Sequence, residues 1–179
     1  MRVVTGKARG RRLKTPEGEA VRPTTDSVKE ALFNIIQGDI EGRRVLDLFA
    51  GSGQLGIEAL SRGAAETVFV DSSRDSVKLV KENLRLCGFE ANVIQSDALK
   101  YLESCGRFDI IFVDPPYDSE LYERVLEAVA RLDLLRSGGV IMVEARKERA
   151  LPDMQEPYVK KKEYNYGKVK LAVYERRAE

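Results

Sequence analysis

Short apolar runs alternate along the chain with stretches whose apolar residues recur every three or four positions. Val45–Phe49, Thr67–Asp71, Ala91–Ile94, Phe108–Val113 and Val140–Glu144 are compact runs bounded by glycine, proline or polar residues. That is the mark of strands buried on both faces. Val77, Val80 and Leu84 fall at helical spacing, with Ser72 or Ser73 as cap and Gly88 as stop. Tyr122, Val125, Val129 and Leu132 repeat the pattern further on. Before the first strand, Thr24-Thr25-Asp26 offers a helix cap, and Val28, Leu32, Ile35 and Ile36 supply an apolar face that ends at Gly38. Strands alternating with helices predict right-handed βαβ units, hence an α/β fold with a mostly parallel sheet covered on both faces. The end of the chain breaks the alternation. YVKKKEY and KVKLAVY flank Asn165-Tyr166-Gly167 and read as an antiparallel hairpin. The start is basic and glycine-rich, and reads as a small hairpin of its own. Residues 1–22 are therefore expected to be an extension of a domain at 23–179.

Composition narrows the class. The 179 residues are 43% hydrophobic and 33% charged, which fits one globular domain. No apolar run approaches the ~20 residues a membrane helix needs. MRVVTGKARGRR lacks the apolar centre of a secretory signal. Cys87 and Cys105 lack metal-type spacing and read as reduced thiols of a cytoplasmic protein. Histidine is absent, which excludes a Ser-His-Asp triad and any His-ligated metal site. The expectation is therefore no metal, no membrane and a monomer. Net charge is +1, but it is unevenly spread: +5 over residues 1–22, −8 over 23–145 and +4 over 146–179. Basic ends on an acidic middle suggest a polyanion partner at the termini, although solvated flexible ends would carry the same charges.

Ligands of open α/β sheets bind beyond the carboxyl ends of the strands. Gly51, Gly53 and Gly56 form G-x-G-x-x-G between the first strand and the next helix, where backbone can approach a ligand closely. Asp71 ends the second strand, where a carboxylate can take both ribose hydroxyls; Asp97 follows the third strand and Asp114 the fourth. A nicotinamide dinucleotide and S-adenosylmethionine both fit this set. Asp47, inside the first strand, separates them by charge. It would repel a pyrophosphate and attract the ammonium of a methionine moiety. Unit charges ~4 Å apart interact by about 4 kcal/mol at an effective dielectric of 20, so the sign decides for S-adenosylmethionine.

Asp114-Pro115-Pro116-Tyr117 then has a use. Two prolines fix φ, remove two donors and hold Asp114 out of helical geometry. The resulting corner offers the Asp114 carboxylate and the Pro115 carbonyl as acceptors, and Tyr117 as a flat face. A planar amine on an aromatic ring matches it: two N–H groups meet two acceptors while the ring stacks. Transfer of a methyl group would then be an in-line displacement helped by positioning and by aligned acceptors. A rigid turn capped at Asp118 or Ser119 is the plainer alternative.

DPPY together with FAGSG (residues 49–53) resembles the class I amino-methyltransferases that modify exocyclic base amines. RPTTDSVKEALFNII at 22–36 and VLDLFAGSGQLGIEALSRGA at 45–64 resemble the bacterial 16S ribosomal RNA guanine-N2 methyltransferase family, whose target is guanine 966. The likeness runs through nearly the whole chain, including the basic GKARGRRLKTP start. It implies a Rossmann-like sheet of seven strands in the order 3-2-1-4-5-7-6, strand seven antiparallel, with helices on both faces. It implies S-adenosylmethionine as cofactor and 16S ribosomal RNA or the small-subunit particle as partner. Carried over, Asp47, Gly51 and Gly53 would shape the methionine pocket, with Phe49 and Ser72 also facing the cofactor. Asp71 would hold the ribose, and Asp97 and Ala98 would border the adenine. Relatives often carry Glu at position 71; the shorter Asp keeps the charge. Asp114, Pro115 and Tyr117 would hold the target base, and Arg22, Thr24 and Thr25 would line the mouth of the site. The base must leave its stack to be reached. Lys7, Arg9, Arg11, Arg12 and Lys14 would contact phosphates on the way. Two other readings stay open: an adenine-N6 methyltransferase on DNA or RNA, and a non-catalytic RNA-binding assembly factor.

Overall fold

The computed structural model describes residues 1–17, 25–117 and 119–179. Seven strands form one sheet: β1 (Arg44–Asp47), β2 (Glu66–Asp71), β3 (Asn92–Gln95), β4 (Phe108–Val113), β5 (Leu135–Arg146), β6 (Tyr158–Tyr166) and β7 (Val169–Arg176). Their order is β3-β2-β1-β4-β5-β7-β6. The strands from β1 to β5 pair in parallel, and β7 runs antiparallel to both of its neighbours. The helices are α1 (Asp26–Ile35), α2 (Gln54–Ser61), α3 (Arg74–Cys87), α4 (Ala98–Leu102) and α5 (Leu121–Leu132).

Strand alternation splits the core between two faces. Leu46, Val68, Val70, Ile111 and Val113 pack with Tyr122, Val125 and Val129 of α5 and Leu102 of α4. Val45, Ile110 and Phe112 point the other way, against Leu32, Phe33 and Ile36 from α1 and its end. On that face Phe33 meets Phe112 edge-on at 5.6 Å between ring centres. Further along it, Phe69 packs with Ile57 of α2 and Val80 and Leu84 of α3. The capping signals hold for α3: the Ser73 side chain accepts the Ser76 N–H, and Gly88 closes the helix at φ 73°.

Several boundaries differ from the sequence expectation by a residue or two, and those of β5 and the terminal hairpin have a visible cause. β5 begins at Leu135 because Phe108 pairs with Leu135 before the register shifts to Ile110–Val140. The shift takes the intervening Ser137-Gly138-Gly139 into the extended run, and a side chain at Gly139 would come within 2.9 Å of the Asp109 carbonyl. The terminal hairpin turns at Gly167-Lys168, since Tyr166 and Val169 already face each other. Gly167 takes φ 58° at the first loop position, where other residues are disfavoured.

The basic start forms a docked hairpin. Val3 N–H donates to the Arg11 carbonyl at 2.9 Å and Leu13 N–H to the Met1 carbonyl at 3.1 Å. The loop lies on α2, where Val4 and Thr5 N–H both donate to the Glu58 carboxylate at 2.9 Å. Lys29 from α1 reaches the same carboxylate at 3.6 Å, with both side chains fully buried, and donates to the Arg2 carbonyl at 2.5 Å. A charged residue thus sits on the buried face of α1, where the sequence pattern showed only apolar positions.

Candidate active site

A cavity of about 630 Å³ opens at the carboxyl ends of β1, β2 and β4. Its wall includes Asp47, Phe49, Gly51, Asp71, Ser72, Asp97, Ala98, Asp114, Pro115 and Tyr117. Those residues stand far apart in sequence. Parallel strands of matched register bring their ends together, because Asp47 pairs with Phe69 on one side and Phe112 on the other. Gly53 lies outside this wall but starts α2 at φ 82°, which turns the chain from loop to helix. Gly56 serves packing: a Cβ there would fall 2.2 Å from the Phe69 ring.

The carboxylates are held differently. Asp47 is buried and accepts the Gly56 N–H at 2.9 Å. Burial pushes it from the ordinary 3.8 up to about 7; the Gly56 bond opposes the rise and the charge of Asp71 adds to it. Asp71 accepts the Gly51 N–H on one oxygen and the Ser73 N–H on the other, both at 2.9 Å. It thereby sets the shape of the glycine loop while keeping lone pairs for further donors. Asp97 caps α4 by accepting the Lys100 N–H at 2.9 Å. Asp114 is raised well above the usual carboxylate range, first by burial and then by the charges of Glu144 and Asp47. The Gln54 side-chain oxygen, on the cavity wall, is buried without a hydrogen-bond partner among the described residues. Four carboxylates and a spare carbonyl oxygen suit a ligand that brings cationic and N–H donors. This donor set and the cavity size fit S-adenosylmethionine.

The family described as "Conserved hypothetical protein 95" matches residues 1–175. The chain belongs to that family. The relative named "Putative rRNA methyltransferase YlbH" of Bacillus subtilis is 39% identical, over 99% of this chain and 100% of its own. "Ribosomal RNA small subunit methyltransferase D" of Escherichia coli K12 is 36% identical over 100% of this chain and 91% of its own. Among solved structures, the Escherichia coli protein described as "Putative methyltransferase yhhF" superposes with a TM-score of 0.86 at 35% identity, covering 100% of this chain and 99% of that one. The Thermus thermophilus 16S rRNA N2 G1207 methyltransferase, solved with AdoMet and guanosine, gives a TM-score of 0.68 at 25% identity. The match spans 86% of this chain and 44% of that larger one.

For this member of the family, the structure sorts the residues singled out from sequence. The strand-end aspartates, Phe49, Gly51, Ser72, Ala98, Pro115 and Tyr117 share one cavity. Thr25 caps α1 through its hydroxyl and is not among the described residues that line the cavity. Arg22 and Thr24 lie outside the described residues, as does Asp118. Lys7, Arg9, Arg11 and Arg12 are exposed on the docked hairpin, while Lys14 pairs with Glu82. Among the described residues there is no group of metal-ligating side chains, and no helix is long and apolar enough to cross a membrane.

Gln54, Glu144 and Arg146 escaped the sequence reading. Glu144, near the end of β5, is 4% exposed and accepts the Tyr117 hydroxyl at 3.4 Å. The Arg146 guanidinium sits 5.2 Å from the centre of the Tyr117 ring and forms part of the cavity wall. The available signal was Glu144 itself, an acid in an apolar run, as Asp47 is in β1. Met1 and Pro16 also reach the cavity, so the N-terminal hairpin forms part of the wall.

Proposed function

We propose that the protein methylates the exocyclic N2 amine of a guanine in 16S ribosomal RNA of the small subunit, the family target guanine 966, using S-adenosylmethionine. One observation carries the reading: the Asp114-Pro115-Pro116-Tyr117 corner faces the same cavity as Asp47, Asp71 and Asp97. Donor site and acceptor-lined corner are thus continuous. The curated relatives named as ribosomal RNA methyltransferases support the substrate class, and the Thermus thermophilus neighbour solved with guanosine supports the base.

When bound, S-adenosylmethionine supplies an electrophilic methyl group on a sulfonium. Asp47 and the Gln54 oxygen would hold its ammonium, Asp71 its ribose, and Asp97 with Ala98 its adenine. Phe49 and Ser72 would complete that wall. Asp114 and the Pro115 carbonyl would hold the two hydrogens of the base amine, and Tyr117 would stack on the ring. Held this way, the nitrogen lone pair is turned from the ring toward the donor, which is positioning rather than activation by a strong base. Asp114, ionised once the amine donates to it, or water then accepts the proton that the methylated nitrogen releases. Lys7, Arg9, Arg11 and Arg12 would contact RNA phosphates as the base is drawn from its stack.

The test offers the purified protein and labelled cofactor to small subunits lacking base methylation and, in parallel, to duplex DNA carrying adenine targets. Mass mapping should find N2-methylguanine at a single nucleotide of the RNA. Methyl transfer to adenine N6 in the DNA would replace this reading with the other base amine. Tight cofactor binding with no transfer to either would favour a non-catalytic assembly factor.

A further inference from the structure

The buried residues of α3 are Val77, Val80, Asn83 and Leu84, and Asn83 is the polar one, at 0% exposed. A carboxamide buried among apolar neighbours needs partners for its oxygen and for its two N–H groups. Here they come from two separate parts of the chain. The oxygen accepts the Lys14 N–H at 2.8 Å, and the nitrogen donates to the Lys14 carbonyl at 3.0 Å. The same nitrogen donates to the Ser52 carbonyl at 2.9 Å. Lys14 leaves the N-terminal hairpin, and its side chain adds an ion pair with Glu82, one residue earlier on α3. Ser52 is the middle of the glycine loop between β1 and α2.

The hairpin meets that loop a second time. The Ser52 hydroxyl donates to the Met1 sulfur at 3.4 Å, and Met1 is bonded to Leu13 across the hairpin. Both open ends of the hairpin therefore converge on Ser52. Met1, Pro16, Gly51 and Ser52 all line the cofactor cavity; Asn83 is not among the described residues that do, so it acts through Lys14 and Ser52. An in-line transfer needs the amine and the methyl donor held in one geometry, and a misplacement of about 1 Å can cost about a hundredfold in rate. We infer that Asn83 is a positioning residue: it fixes the N-terminal hairpin to the glycine loop, so that RNA gripped by the first presents its base to the donor held by the second. This inference rests on the methyl transfer proposed above and assigns how its two substrates are held in register. Glu58 anchors the same hairpin through Val4 and Thr5 instead, which makes it the natural control.

The experiment compares the wild-type chain with Asn83→Leu, Asn83→Ala and Glu58→Gln on small subunits lacking base methylation. Single-turnover rates with both substrates saturating report positioning. Titrations with S-adenosylhomocysteine and with the subunits report the two affinities, and thermal unfolding reports folding. Asn83→Leu keeps a branched side chain of similar size and removes every bond to Lys14 and Ser52. Its saturated rate should fall about tenfold to a hundredfold while each affinity stays within about threefold of wild type. Asn83→Ala gives a second reading of the same split. Glu58→Gln should show the opposite pattern, with weaker subunit binding and a saturated rate close to wild type. Should neither Asn83 variant fold, the wild-type chain still answers. S-adenosylhomocysteine alone should slow amide exchange at Lys14 together with Gly51, because the carboxamide joins their two segments.

A full saturated rate in a folded Asn83 variant, with the loss confined to subunit affinity, would overturn the inference, since Asn83 would then merely hold the hairpin on. So would an equal loss of saturated rate in Glu58→Gln, because any loosening of the hairpin would suffice. Protection of Gly51 without Lys14 would do the same. Failure of the wild-type chain to methylate the RNA at all would instead overturn the proposed function, an outcome plainly separate from transfer that Asn83 does not control.

Discussion

Asp114 and Asp47 carry the sharpest consequences of single side chains. In the proposed reaction, Asp114→Ala would remove an acceptor for the base amine. Methyl transfer should fall by about a thousandfold or more, the combined scale of a lost proton acceptor and a lost preorganised contact. Cofactor affinity by calorimetry should stay nearly unchanged, and full activity would remove the mechanism. Asp47 makes a prediction in pH. Its folded value of about 7 lies above the ordinary 3.8, so between these values the folded chain holds a proton that the unfolded chain has released. Stability without ligand should therefore fall as pH rises through that window, by about 4 kcal/mol at most, and level off above it. A cationic ligand reverses the preference. Cofactor binding at pH 6 should release close to one proton, read from calorimetry in buffers of different ionisation heat, and Asp47→Asn should release none. The strand-end aspartates were legible in sequence because each interrupts or ends an apolar run. Glu144 was hidden because an acid that closes an apolar run looks like an ordinary strand end, and only the fold shows it 4% exposed and within reach of the Tyr117 hydroxyl.

Helices α3 and α5 were legible because their apolar spacing, and for α3 its cap and stop, agree with one another. The docking of the N-terminal hairpin was not, because its anchors look like surface charges. Glu58 lies in α2 and Lys29 in α1, and only the fold shows both side chains fully buried, with Arg62 3.0 Å from Glu58. Burial lowers the Lys29 pKa, against the pull of Glu58. Gly6 was equally silent: any Cβ there would meet the Ser61 carbonyl at 1.9 Å, so the hairpin seats only with glycine at that point. Removing one partner of a buried pair strands the other. Glu58→Ala should cost about 3–5 kcal/mol in urea unfolding, and Glu58→Gln less, since it keeps an acceptor for Val4 or Thr5. The same variants should speed amide exchange at Val4 and Thr5 well before the sheet strands respond. Uniform protection across the molecule would mean that the hairpin is held by other contacts.

Over the whole molecule the charges bear on which basic end would meet RNA in the proposed reaction. Both ends are basic in sequence, so charge alone did not choose between them, and only the family resemblance pointed to the N-terminal one. In the folded chain the C-terminal cations are largely spent on internal partners: Lys160 on Asp153 and Glu163, Lys161 on Glu175, Lys170 on Glu163, Arg176 on Asp133 and Arg177 on Glu156. Among the described residues no ion pair involves Lys7, Arg9, Arg11 or Arg12, and these stand on the hairpin whose Met1 and Pro16 reach the cavity wall. A phosphate chain crossing the hairpin would thus deliver its nucleotide close to the Asp114 corner. Each phosphate neutralised releases counterions, about 0.7–0.9 in the slope of log affinity against log salt. Replacing Arg9, Arg11 and Arg12 with Gln should therefore flatten that slope by about 2 to 3 and weaken RNA binding most at low salt. Replacing Lys160, Lys161 and Lys170 should leave the slope unchanged while lowering stability slightly. If the second set, not the first, sets the salt dependence, the RNA crosses the β6–β7 hairpin instead, and the N-terminal extension serves only as a wall of the cofactor cavity.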